Sequence, residues 1–201
     1  MIDNFKLIKE NLKFETEDDF YHLQILKRKK EHPELGSNSY VVKTYYVTST
    51  DYLETKKEEI IHLCNFHNAR ACINLNRRSF EKMAFHTLRK VTDQIMNKDY
   101  RSTRKVYESV CGSHSNELDK KWIVDIDTKN ISAVTYAVEV MGLCDPLIGI
   151  ETIYMIVETK NGFHLITRPF NTKQFQEYYT QKNVHECPDI HKNNPTILYI
   201  P

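Results

Sequence analysis

The chain has little glycine and little proline, five and six residues among 201. It has no low-complexity tract and no internal repeat, which excludes a linker-rich or disordered protein. No run of about 18 apolar residues occurs, so no segment reads as a membrane-crossing helix. Charge of one sign is missing too: the formal net charge is +1. Nothing global demands a polyanionic partner, and any nucleic-acid contact must come from local patches. Five cysteines, an odd number at irregular spacing (Cys64, Cys72, Cys111, Cys144, Cys187), do not make a disulfide framework. With no signal-peptide pattern ahead of them, the expectation is a reducing, cytoplasmic setting. The length suits one large domain or two small units that share a core.

What is present in quantity is aromatic, twelve Tyr and nine Phe. Such rings serve as core and rim, or as surfaces on which bases stack. Residues 1–19 predict a short helix and a loop. Phe20 to Leu26 alternates apolar and polar residues, and Tyr40 to Thr48 is rich in Val, Tyr and Thr, so the two read as a hairpin. Between them, Lys27-Arg28-Lys29-Lys30 is either a solvated tip or a clamp on a phosphate backbone. Ser49-Thr50-Asp51 caps a helix to about Asn65. Ala69 to Leu75 suits a buried strand, and a helix follows from about Phe80 to Met96. Arg77 and Arg78 fall at that strand-to-helix junction, where guanidinium groups and a helix N-terminus can hold phosphate. Surface arginines paired with acids are the competing reading.

The second half carries the chemistry. In Trp122-Ile123-Val124-Asp125-Ile126-Asp127, three apolar residues run into two aspartates separated by one isoleucine. A strand has a side-chain period of two, so Asp125 and Asp127 leave one face roughly 7 Å apart. Two carboxylates there repel unless a cation lies between them, and Mg²⁺ and Mn²⁺ prefer carboxylate oxygens. The bland alternative is a strand ending in a turn. A helix of about 130–142 follows, then a β-rich run from Thr152 to Glu158. Thr159-Lys160-Asn161-Gly162 predicts a tight turn, and Phe163 to Arg168 the return strand. Thr172 caps a helix of about 173–181, and Thr196 to Ile200 closes the series as a strand. The fold class is α+β, with a ferredoxin-like or RRM-like β-α-β-β-α-β core over about 121–201 and an N-terminal α/β unit over 1–120, the two together forming one compact domain.

That topology sets the first core strand between the third and the fourth. Asp125, Asp127, His164, Asp189, His191 and Lys192 then meet at one edge of the sheet. His185, Cys187, His191, Cys111 and His114 could in principle build a zinc site, but their spacing fits no standard pattern.

In these motifs the chain resembles the archaeo-eukaryotic primase superfamily, the primase-polymerases. The family signature is a hydrophobic strand ending Asp-x-Asp/Glu, then small-x-His on a strand, then a hydrophobic-Asp pair. Ile123-Val124-Asp125-Ile126-Asp127 matches the first and Gly162-Phe163-His164 the second. Pro188-Asp189-Ile190 stands where the third belongs, with proline in place of the aliphatic residue. The motifs cover residues 121–201; the first 120 agree only in size and α/β pattern. The resemblance is to small phage or mobile-element forms whose partners, such as a helicase, are separate chains.

The resemblance implies nucleotidyl transfer on a single-stranded DNA template. Asp125, Asp127 and Asp189 would hold Mg²⁺ or Mn²⁺, and His164 would contact the incoming nucleoside triphosphate. Arg168 and Lys192, then Arg77 and Arg78, are the candidates for further phosphate contacts. Two other classes stay open: a non-catalytic single-strand-binding module on the same frame, and a two-metal nuclease.

Overall fold

The computed structural model describes residues 1–36, 39–114, 120–147, 152–181 and 185–201. They form an α+β fold built on two antiparallel sheets. The first sheet grows from the hairpin read in the sequence, β2 (Asp19–Lys27) against β3 (Tyr40–Val47). β4 (Arg70–Ile73) pairs with the other edge of β2 and is buried along its length. Two short strands, β1 (Ile2–Asp3) and β5 (Arg78–Ser79), extend this sheet.

Helix α2 (Thr50–His67) covers one face of it. It starts because the Ser49 hydroxyl accepts the Tyr52 N–H at 2.9 Å, and it stops at Asn68, which turns left-handed at φ 47°. Its Leu53, Ile60 and Cys64 share one buried cluster with Leu23, Ile25, Ala71 and Ile73 and with Phe5 and Ile8 of α1 (Phe5–Lys9). Each large side chain removed from water there contributes about 1.5–3 kcal/mol. Helices α3 (Phe80–Met96) and α4 (Val106–Ser113) make a smaller cluster with Phe20, through Met83, Val106, Val110 and Cys111.

The second sheet carries β6 (Trp122–Ile126), β7 (Ile153–Glu158), β8 (Phe163–Thr167) and β9 (Asp189–His191), in the order β7-β8-β6-β9. Helices α5 (Ile131–Met141) and α6 (Thr172–Gln181) pack on one face, against Val124, Ile126 and Leu165. The alternate residues Ile123, Met155, Val157 and Ile166 join the cluster of the first sheet. The period of two in β6 therefore divides the apolar residues between two cores and leaves Asp125 at the boundary.

One strand is not where the topology argument put it. The strand beside β6 is the three-residue Asp189–His191, while β10 (Thr196–Ile200) lies in the first sheet, between β1 and β4. The composition of the two segments explains the exchange. Thr-Ile-Leu-Tyr-Ile has four buried residues out of five and suits an inner strand, whereas Asp-Ile-His is exposed to half-buried and suits an edge. Residue 120 is consequently not a clean boundary, because the second half of the chain returns a strand to the first.

Candidate functional site

Asp125 sits in the middle of a row that crosses three strands. Its cross-strand partner on β8 is His164 and on β9 is Asp189. Directly opposed residues of an antiparallel pair share a face, so two carboxylates and an imidazole project together. His191, two residues beyond Asp189, projects with them. His164 Nε2 lies 3.4 Å from Asp125 Oδ1, and His191 Nε2 lies 3.7 Å from Oδ2. Each carboxylate oxygen thus faces an imidazole. The other ring nitrogen of His164 is 2.8 Å from Thr196 Oγ1, a fully buried hydroxyl on β10. With Nε2 donating toward Asp125, the neutral ring accepts the Thr196 hydroxyl at Nδ1. The strand that moved to the first sheet therefore still serves the site, as the anchor of its histidine.

Burial pushes the Asp125 carboxyl upward. The hydrogen bond from His164, and then the charges of His164, His191 and Arg28, outweigh burial and hold the group below the ordinary aspartate range. Arg28 comes from the exposed loop after β2. In the sequence it was one residue of a basic run, and nothing local singled it out.

Asp127 follows the end of β6 and is exposed, as is Asp189. With Asp125 and Thr128 they line a pocket of about 390 Å³, together with His185, Glu186, Cys187 and Pro188. Three carboxylates from two sequence-distant segments are the hard-oxygen donor set that Mg²⁺ or Mn²⁺ takes. As the side chains stand, no three His, Cys, Asp or Glu groups among the described residues are close enough together to hold a metal ion.

The turn between β7 and β8 braces the Asp-x-Asp segment. The Thr159 N–H donates to the Gly162 carbonyl at 2.9 Å, and the Gly162 N–H donates to Thr159 Oγ1 at 3.0 Å. Gly162 does not have a left-handed backbone. It is glycine because a Cβ there would lie 1.8 Å from the Ile126 carbonyl oxygen and 2.7 Å from the Thr128 nitrogen. The small residue two before His164 is what lets the turn approach the backbone on either side of Asp127.

The loop after β9 is tied to the first half of the chain by asparagines. Asn74 Nδ2 donates to the Asn193 carbonyl at 2.7 Å, and Asn193 Nδ2 donates to the Gly112 and Ser113 carbonyls at 3.2 and 3.1 Å. Asn76 takes the Lys121 N–H at 2.6 Å and returns a bond to the Lys121 carbonyl at 3.0 Å. These bonds fix the strands that carry Asp125 and His191 against the first half of the chain. Buried asparagine after an apolar strand was the available signal.

Four other candidates lie elsewhere. Arg168 follows the far end of β8, 5.7 Å above the Tyr154 ring. Lys192 lies 4.9 Å above the Trp122 ring, and Trp122 leaves the face opposite to Asp125. Arg77 is buried, with Nη2 2.8 Å from Glu15 and Nη1 3.3 Å from Asp19. Arg78 is fully buried and donates to the carbonyls of Cys111 and Asn76. Both arginines brace the fold: carboxylates take Arg77 and carbonyls take Arg78, while Arg77 Nε and Arg78 Nη2 are buried without a hydrogen-bond partner among the described residues. Of the zinc candidates, His185 bonds Ser132 at 3.2 Å, and Cys111 is buried in the α3–α4 cluster.

No family model, curated protein or solved structure matches the chain. Among the described residues no helix is long and apolar enough to cross a membrane.

Proposed function

We propose that the chain is a template-directed nucleotidyltransferase of the primase-polymerase type. The observation that carries the reading is the single pocket shared by Asp125, Asp127 and Asp189, with His164 paired to Asp125 across the sheet. The second sheet is read as the ferredoxin-like, RRM-like core, β6-α5-β7-β8-α6-β9, with β9 as its fourth strand. Asp125, Asp127 and Asp189 would hold Mg²⁺ or Mn²⁺, which supplies, when bound, activation of a 3′-hydroxyl and charge neutralisation on the phosphates. His164, released from Asp125 and oriented by Thr196, donates from Nε2 to the incoming triphosphate. Arg28 adds a positive charge that acts on Asp125. The template is a single DNA strand, and any helicase is a separate chain.

The test is a primer-extension assay with single-stranded template, nucleoside triphosphates and Mn²⁺, run with wild type beside Asp125→Ala. Extension by wild type that is absent from the variant supports the reading. Shortened primer would identify a nuclease instead. A bare mobility shift, equal in both proteins, would identify a single-strand-binding module.

A further inference from the structure

Helix α3 is apolar on two sides. One side packs into the core through Met83, with Phe80 and Val91 beside it. The other side faces solvent: Phe85, Leu88, Ile95 and Met96 are 66%, 65%, 51% and 76% exposed. Their spacings of three, seven and one place them in a single stripe about 100° wide. An amphipathic surface helix needs one apolar face, and a second one marks a docking surface. Arg89 and Asp93 flank the stripe on one edge, both exposed and neither in an ion pair among the described residues.

The order of these residues is self-complementary. Consider a second α3 running antiparallel, related by a two-fold axis at the level of Val91. Phe85 then meets Met96 of the second copy, and on the opposite edge Leu88 meets its Ile95. On the charged edge Arg89 meets its Asp93. Two-fold symmetry repeats each contact, giving four apolar contacts and two ion pairs from one stripe. In a parallel two-fold pair the charged edge of each copy would instead lie against the Leu88–Ile95 edge of the other, leaving Arg89 and Asp93 with no opposite charge to meet.

We propose that this face is a docking site for a second copy of the chain, as an antiparallel α3–α3 pair. A single helix pair is a small interface, so the association is weak, with a dissociation constant in the micromolar range. The pairing is independent of the chemistry proposed for the carboxylate pocket, since no pocket residue lies on α3.

Sedimentation equilibrium on the full chain tests it, with circular dichroism melts to verify that each variant is folded. The side chains concerned are exposed, so folding should not change. Wild type should show a monomer–dimer equilibrium. Leu88→Glu should weaken it at least about ten-fold. Arg89→Asp alone should also weaken it by sets of like charges. Combining Arg89→Asp with Asp93→Arg restores opposite pairs and should return the dissociation constant to within about three-fold of wild type. Three results would overturn the proposal. One is a monomer at every concentration, which would assign the stripe to a different protein. The others are a dimer indifferent to Leu88→Glu and a double exchange no tighter than the single one.

Discussion

Asp125 and His164 stand directly opposite each other on β6 and β8, with Oδ1 and Nε2 3.4 Å apart. The pair makes the site sensitive to acid. Asp125 has its carboxyl pKa lowered in the fold, so its contribution to stability is present above the unfolded value of about 3.9 and is lost as pH falls through the folded value. Asp125→Asn should therefore lower stability at pH 7 and converge on wild type below about pH 4, which flattens the acid limb. Urea unfolding at a series of pH values reads this. In the transfer assay the same variant should lose at least about 100-fold in rate.

Gly162→Ala is expected to be costly although the change is one methyl. The new Cβ would fall within 3 Å of backbone atoms of Ile126 and Thr128, and backbone yields poorly. Overpacking of this kind costs about 1–3 kcal/mol. A lower melting temperature should accompany loss of activity, because relief of the clash displaces Asp127.

Thr196→Val keeps shape and removes the hydroxyl 2.8 Å from His164 Nδ1. Losing the partner that orients a functional imidazole typically costs about 10–100-fold in activity. The expectation is a fall in turnover and a rise in nucleotide KM, with the fold retained by circular dichroism. Unchanged kinetics would show that Thr196 does not position the ring.

Arg77→Gln and Arg78→Met separate bracing from phosphate binding. Burial lowers the Arg78 pKa to about 10, and its bonds go to carbonyls. Removing a buried donor from its acceptors costs about 1–3 kcal/mol. Both variants should unfold at lower urea concentration and keep the nucleotide KM of wild type. A raised KM at full stability would return them to the ligand.

The site was legible in the sequence wherever it depended on strand period and local register. Asp125, Asp127 and His164 could be brought together because β7 and β8 form a hairpin and β6 alternates cleanly. The sequence groups Asp189 with them as the approach to a strand at 196–200, whereas the structure pairs Asp189 itself with Asp125 and sets 196–200 in the other sheet. What depended on burial of both faces of a strand was not legible. Thr196–Ile200 is apolar throughout, so pattern alone does not say which of two sheets receives it. Arg77 and Arg78 look the same in sequence whether carboxylates, carbonyls or phosphates take their protons. Arg28 acts on Asp125 through its charge, from nearly 100 positions earlier in the chain, and no spacing rule covers that.

The seat of β10 also orders the protein's synthesis. The inner position between β1 and β4 is filled by residues 196–200, so the first sheet lacks an inner strand until those residues have been made. Until then β4 carries an unpaired edge, the kind of edge that pairs with other chains. Closing it joins residues more than 120 positions apart, from Ile73 to Thr196, and such distant contacts form late. The histidine of the site receives its Thr196 anchor in that same late step, so the pocket is completed only when the whole fold is.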